Sequence, residues 1–322
     1  MKTNYITIDT GTTKTRISIV SDGEILDVLK LNVGAGDTKK DPSILKKTIK
    51  SGIKDILLKN GLFENDIECI IACGMITSEL GLCNLEHLKA PCGVKVLARG
   101  LHNTIIPEIS DLPFFFVRGV KVEGTTFETT DVMRGEETEF FGLTNFIEPD
   151  CLYVLPGSHS KLIVTDDKCR IDRFSTEFTG ELLSAVAGHT ILNQNIDMTI
   201  DVEIDREYLK KGYLYAKEHG LNAAFFKVRI LDSFFGCTRP QLYGFFKGVA
   251  LYPEIKNIMK TGAKKIIIAG KSQLRNPMCY LLTEFSDNEI ISVPDEISDN
   301  ATAIGMVKIY NAMEDDKNGK TL

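Results

Sequence analysis

Tryptophan is missing altogether, and no block of Lys and Arg stands out against a net charge of −6. A nucleic-acid footprint shows as a basic face, so no nucleic-acid partner is expected. No apolar run approaches the roughly 18 residues that a membrane helix needs. The chain passes from Met-Lys-Thr-Asn straight into a strand-like run, which leaves no room for a signal peptide and points to the cytoplasm, with no membrane. The five histidines are scattered without ligand spacing, and the eight cysteines form no Cys-x-x-Cys pair. Such thiols read as core residues of a reducing compartment, and no structural metal is expected. Low-complexity tracts are absent too, so a length of 322 residues suits two ordinary globular domains.

What is present begins at once. "YITIDTGTTKTRISIV" (5–20) is an alternating apolar run, a turn rich in Gly and Thr, and a second alternating run. "EILDVLKLNV" (24–33) reads as a third strand. "DPSILKKTIKSGIKDILLKNG" (41–61) has helical spacing, with Asp41 as N-cap, Pro42 in the first turn and Gly61 as the stop. "DIECIIACG" (66–74) and "FFFVRGV" (114–120) are short continuous apolar runs, the mark of buried strands. The theme returns in "CLYVLPGSHSKLIVT" (151–165). Placing Gly157 over Gly11 aligns the apolar positions of both hairpins and sets Ser158 on Thr12, which suggests an internal duplication. "AKKIIIAGKSQL" (263–274) is a buried strand running into a Gly turn, and "DNATAIGMVKIYNAM" (299–313) is an N-capped helix. The reading is an α/β chain with mixed sheets. Its expected parts are an N-terminal lobe (1–148), a C-terminal lobe (149–298), a terminal helix (299–314) and a disordered tail (315–322).

Four segments could carry chemistry. In the first turn, Gly11 lets a ligand approach the backbone, Thr12 and Thr13 offer N–H and hydroxyl donors, and Asp9 is an oxygen ligand suited to Mg²⁺. An empty hairpin turn is equally allowed by local turn chemistry. In "VMRGEETEFFG" (132–142), acidic residues open a helix. They either answer the helix dipole or project a carboxylate that takes a proton from a substrate hydroxyl. "LPGSHSKL" (155–162) is a surface hairpin or a second phosphate turn, and Thr179-Gly180 opens an apolar helix or also contacts a nucleotide. Gly270-Lys271-Ser272 mimics the end of a P-loop, but Lys265 stands where that motif requires Gly.

Together these segments resemble the actin/hexokinase/heat-shock ATPase superfamily. More narrowly, "VMRGEET" (132–138), "PGSHSK" (156–161), "FTGEL" (178–182) and "CGMITSELG" (73–81) are similar in order and spacing to the 2-dehydro-3-deoxygalactonokinase family. The resemblance implies two ribonuclease-H-like lobes with mixed sheets flanked by helices, and an active site in the interlobe cleft. It implies ATP-dependent phosphorylation of the terminal hydroxyl of 2-dehydro-3-deoxy-D-galactonate or a close sugar acid. Asp9 would be the Mg²⁺-side carboxylate, and Gly11, Thr12 and Thr13 would hold phosphates. Gly157, Ser158 and His159 would form the second phosphate turn, with Gly180 and Gly270 near the nucleoside. Glu136 is the implied base, with Glu137 and Asp131 as fallbacks. Arg16, Arg99 and Arg134 are candidates for the substrate carboxylate, and Ser78 and Glu137 for other substrate contacts. A homodimer stays open. So does a kinase for another sugar or polyol, or a non-catalytic sugar or nucleotide sensor on the same fold. The sequence departs from the family at Glu79-Leu80-Gly81-Leu82 and at Leu162, where a Trp is usual, so the sugar acid is less firmly implied than the phosphotransfer.

Overall fold

The computed structural model describes residues 3–317. The chain divides into two compact units, Met1–Pro149 with Thr165–Phe174 and Glu296–Leu322, and Asp150–Val164 with Ser175–Asp295. The stretch 165–174 was expected in the second lobe. It groups with the first unit because Cys92 and Ile171 exchange backbone hydrogen bonds of 2.8 and 2.9 Å, and the aliphatic part of Arg170 packs on Gly93.

The first unit begins with a meander, β1 (Asn4–Thr10), β2 (Thr15–Ser21) and β3 (Glu24–Leu31), followed by α1 (Ile44–Lys59) and β4 (Ile67–Gly74). Then come β5 (Leu88–Lys89), α2 (Val94–Arg99), β6 (His102–Ile106), β7 (Ser110–Phe116), β8 (Val120–Val122), β9 (Asp131–Met133) and α3 (Glu136–Gly142). The main sheet has the order β3-β2-β1-β4-β7-β6; β1 runs antiparallel to β2 and parallel to β4, and β4 runs parallel to β7. Alternation along β1 and β2 turns Ile6, Ile8, Ile17 and Ile19 to one face, where Leu45, Ile49 and Ile53 of α1 cover them. Helix α1 starts after Ser43, two residues later than its expected cap. The Asp41 carboxylate instead accepts from the Ser43 N–H (2.9 Å) and hydroxyl (2.7 Å), closing a turn ahead of the helix. The apolar run 114–120 is likewise not one strand. Its first part belongs to β7 and its last residue to β8, which joins β5 and β9 in a separate three-stranded sheet.

The second unit holds β10 (Leu152–Leu155), β11 (Ser160–Thr165) as far as Val164, β12 (Ile171–Glu177) from Ser175 onward, α4 (Thr179–His189), α5 (Arg206–His219), α6 (Leu221–Phe235), α7 (Arg239–Lys260), β13 (Lys265–Ile268), α8 (Ser272–Phe285) and β14 (Glu289–Ser292). Its sheet order is β12-β11-β10-β13-β14, with β10 antiparallel to β11 and parallel to β13, and β13 parallel to β14. Counted from its own first strand, each sheet has the order 3-2-1-4 followed by one more parallel strand, and the first sheet adds β6 beyond it, so the duplication suggested by the two hairpins extends through five strands. Helices α5 and α7 approach backbone to backbone at Gly212, Gly244 and Gly248.

The C-terminal helix spans Asp295–Lys317, longer at both ends than expected. Asp295 and Glu296 place acidic residues in its first turn, where the helix dipole favours them. Near its far end, Asp316 accepts from Nε and Nη2 of Arg99, both at 3.0 Å, which holds the first residues of the expected tail in the helix. The rest of that tail, 318–322, lies outside the described residues. Among the described residues no helix is long and apolar enough to cross a membrane.

Candidate functional site

In the first unit, β1 and β2 pair Asp9 with Arg16 and Thr10 with Thr15, leaving Gly11, Thr12, Thr13 and Lys14 as an exposed turn. The Gly11 N–H donates to Lys14 O (2.8 Å), while Ala35 and Gly36 donate to Gly11 O (3.0 Å) and Thr12 O (2.8 Å). The turn is thus braced from one side. The N–H groups of Thr12 and Thr13 take no part in this bracing and make no hydrogen bond among the described residues. Gly74 ends β4 opposite Thr10 with φ +81°, a conformation that side chains rarely adopt, and a Cβ there would stand 3.3 Å from Asp9 Oδ1. The Gly135 backbone packs on Gly74, so the first turn of α3 arrives beside Asp9.

That turn separates its carboxylates. Glu136 stays partly exposed, and its Oε2 accepts from the Arg134 N–H at 2.9 Å. Glu137 is fully buried; both its oxygens accept from the Gly135 N–H at 2.9 Å, and burial, aided by the charge of Glu136, pushes it up to about 8. Glu139 lies one turn beyond Glu136 on the same face, and burial together with Glu136 and Asp9 pushes it up to about 8 as well. Burial also raises Asp9; Arg16 opposes that shift and Glu136 adds to it. Asp9, Glu136 and Glu139 therefore form an acidic group beside the turn, with Arg16 on its margin. Glu139 was not expected there, although its spacing of three from Glu136 was a usable signal.

In the second unit, Gly157, Ser158 and His159 connect β10 to β11. The Gly157 N–H donates to Ser160 Oγ (3.3 Å), and the Glu181 N–H, from the first turn of α4, donates to Ser158 O (3.1 Å). Gly180 approaches so closely that a Cβ would overlap the Gly157 carbonyl and lie 2.7 Å from Ser158 Cα. His159 stacks on Phe178, with ring centroids 5.5 Å apart, and its Nε2 lies 3.6 Å from Glu181. Gly270 follows β13 and packs on Pro156, and Arg275 donates to the Gly270 carbonyl (2.9 Å) while pairing with Asp295 (2.6 Å). Gly157, Ser158, Gly180 and Gly270 thus converge. At the start of α8, two residues after Gly270, Ser272 and Gln273 join Arg206, Lys247, Asn276 and Tyr280 in lining a cavity of about 280 Å³. Lys247 donates to Gln273 O (3.1 Å), and burial lowers its pKa.

The model of the 2-keto-3-deoxy-galactonokinase family matches residues 9–309, from the carboxylate of β1 into the C-terminal helix. The chain belongs to this family. Among curated relatives it is 33% identical, over 129 residues, to the probable 2-dehydro-3-deoxygalactonokinase DgoK1 of Rhizobium meliloti (strain 1021), a match spanning 39% of the chain and 40% of that relative. It is 23% identical, over 269 residues, to the 2-dehydro-3-deoxygalactonokinase of Escherichia coli (strain K12), covering 80% of the chain and 81% of that relative. A presumed 2-dehydro-3-deoxygalactonokinase protein of Sinorhizobium meliloti has the same fold, with a TM-score of 0.73, 21% identity and 96% of each chain covered. An activator of 2-hydroxyisocaproyl-CoA dehydratase from Clostridium difficile, solved with bound ADPNP, shares the fold more distantly, with a TM-score of 0.54, 16% identity and 100% and 99% covered. The architecture is the expected two-lobed actin-like ATPase fold.

The remaining expected residues of this family member fall as follows. Arg134 spends its guanidinium on Thr77 Oγ1 (2.6 Å), Leu85 O (3.1 Å) and His87 Nδ1 (3.4 Å), and so clamps the segment after Gly74. His87 responds: burial, with the charges of Arg134 and Lys121, pushes it down to about 4. Ser78 is engaged locally, its hydroxyl donating to Met75 O at 2.7 Å. Arg99 sits on α2 in its pair with Asp316, and Asp131 opens β9, its Oδ1 accepting from the Val132 N–H at 2.7 Å. In the second unit Glu254 was overlooked. It is fully buried on α7 near Ser160 and Thr179, makes no well-formed hydrogen bond among the described residues, and is pushed up to about 7, chiefly by burial.

Proposed function

We propose that the protein transfers the γ-phosphoryl group of ATP to the terminal hydroxyl of 2-dehydro-3-deoxy-D-galactonate. Membership of the family makes it a phosphotransferase acting on an alcohol group. The observation that carries the residue assignment is the grouping of Asp9, Glu136 and Glu139 beside a turn whose Thr12 and Thr13 N–H groups are unspent. Phosphoryl transfer asks a protein mainly for positioning and charge stabilisation. In this reading Gly11, Thr12 and Thr13 hold phosphate oxygens, and Gly157, Ser158 and His159 form the second phosphate turn. Gly180 keeps that turn in place, and the nucleoside takes the cavity beside Gly270, with Lys247 on its wall.

The acceptor oxygen attacks the γ-phosphorus, the bond to the β–γ bridging oxygen breaks to release ADP, and the hydroxyl proton passes to Glu136. Glu136 suits this role better than Glu137, whose oxygens are committed to Gly135, or Asp131, which serves its own strand. Among the described residues no three His, Cys, Asp or Glu side chains group as a metal site, and Mg²⁺ typically takes only one or two carboxylates, together with phosphates and water. Asp9 would hold it, with Glu136 and Glu139 at hand, and when bound it would neutralise phosphate charge. ADP release measured with galactonate-, gluconate- and arabinonate-derived 2-keto-3-deoxy acids tests the proposal. Turnover is expected to be fastest with the galactonate-derived acid, and no stimulation by any of the three would overturn the reaction.

A further inference from the structure

We propose that Arg118 takes the carboxylate of the sugar acid and so sets the enzyme's preference for acids. The inference rests on the reaction proposed above. In an α/β sheet, ligands gather beyond the carboxyl ends of parallel strands. In the first unit β1, β4 and β7 are three such strands side by side. Ala72 pairs with Phe116; two residues further along, Gly74 is the last residue of β4 and pairs with Thr10, while Arg118 lies just past the end of β7, so both are at the carboxyl edge of the sheet. Asp9 lies at that edge on β1. Two strand spacings, about 10 Å, separate the β1 and β7 ends. An acid lying across Gly74 would therefore present its carboxylate at one end and its far hydroxyl near Asp9 and Glu136 at the other.

Among the described residues the side chain has no hydrogen-bond partner. Arg118 is half-buried, and its Nε is shut off from solvent with no hydrogen bond. No hydrogen bond or ion pair forms at its guanidinium among the described residues; its charge is felt by the neighbouring Cys83 thiol. With its Nε closed off, the guanidinium would offer its two Nη groups, which can donate to both oxygens of a carboxylate while pairing the charge. The other arginines of this unit are occupied. Arg134 holds Thr77, Leu85 and His87; Arg99 holds Asp316; Arg170 and Arg173 hold Asp166 and Asp172; and Arg16 faces Asp9 and donates to Asp299 O. Arg134 contributes indirectly, because its clamp fixes the Thr77–Leu85 segment that leads to Cys83.

The test compares wild type, Arg118→Gln and Arg118→Lys on 2-keto-3-deoxygalactonate and on its carboxamide, with the KM for ATP measured in parallel. Arg118→Gln is expected to raise the KM for the acid about 10- to 100-fold, to leave the KM for ATP unchanged, and to erase the preference for acid over amide. Arg118→Lys should restore part of that preference, since an ammonium supplies charge without the planar fork. An intact acid-over-amide preference in Arg118→Gln would overturn the assignment. So would equal rises in both KM values with a lowered Tm, which mark a structural residue. Wild type that turns over no keto acid fails on the reaction and takes the inference with it; wild-type turnover with an unaffected Arg118→Gln fails on Arg118 alone.

Discussion

At the scale of single residues, the first turn of α3 shows how neighbouring carboxylates acquire different work. Glu137 folds back on the helix start and takes the Gly135 N–H with both oxygens, so burial keeps its proton on. Glu136 points to the partly exposed side, held by the Arg134 N–H, where it meets the field of Asp9. A base must lose and regain a proton at an accessible oxygen, and only the second environment allows that. Glu136→Gln keeps the shape and removes the basic site. The expected outcome is a fall in kcat of about 10²- to 10⁴-fold, with affinity for a non-hydrolysable ATP analogue retained in calorimetry. Turnover close to wild type would move the base to another carboxylate, Glu139 being next in line by position.

At the scale of elements, each hairpin turn depends on a neighbour pressed against its backbone: residues 34–36 on the first, the start of α4 on the second. Gly180→Ala tests that support. The new methyl would meet the Gly157 carbonyl and Ser158 Cα, which are backbone and cannot swing away. The turn must therefore shift, and the KM for ATP should rise about tenfold or more while the far-ultraviolet spectrum stays unchanged; an unaltered KM would detach α4 from nucleotide binding. The turns were legible because alternation broken by Gly and Thr is a short-range pattern, and α1 because its apolar stripe is clean. Helix α7 was not legible, since burial runs unbroken from Leu242 to Leu251 and leaves no polar face to set a period. Arg118 was hidden for a related reason. "FFFVRGV" reads as one strand, whereas the chain leaves the sheet after Phe116, and that departure is what exposes the arginine as a candidate ligand. The acidic group around Asp9 depends on contacts between β1, β4 and α3 that lie far apart in sequence, so only the fold could assemble it.

For the whole molecule, the buried carboxyl groups make stability a function of pH. Glu137 and Glu139 in one unit sit at about 8 and Glu254 in the other at about 7, all raised mainly by burial above an ordinary value of 4.5. Between the ordinary value and the raised ones, the folded protein binds more protons than the unfolded chain, so stability falls as pH rises. The contribution is complete below about 4.5 and is lost as pH climbs through 7 to 8. Measured with a chelator and no nucleotide, the Tm should therefore decline from pH 5.5 to 8.5. Glu137→Gln and Glu254→Gln replace each group by one that never ionises, and each should flatten the decline and raise the Tm at pH 8.5 relative to wild type. In the proposed site Mg²⁺ with nucleotide would favour the ionised form of Asp9, so the proposal expects it to lift the wild-type Tm most at the alkaline end. A decline equally steep in both variants would mean that these carboxyl groups ionise in the folded protein much as they do in water.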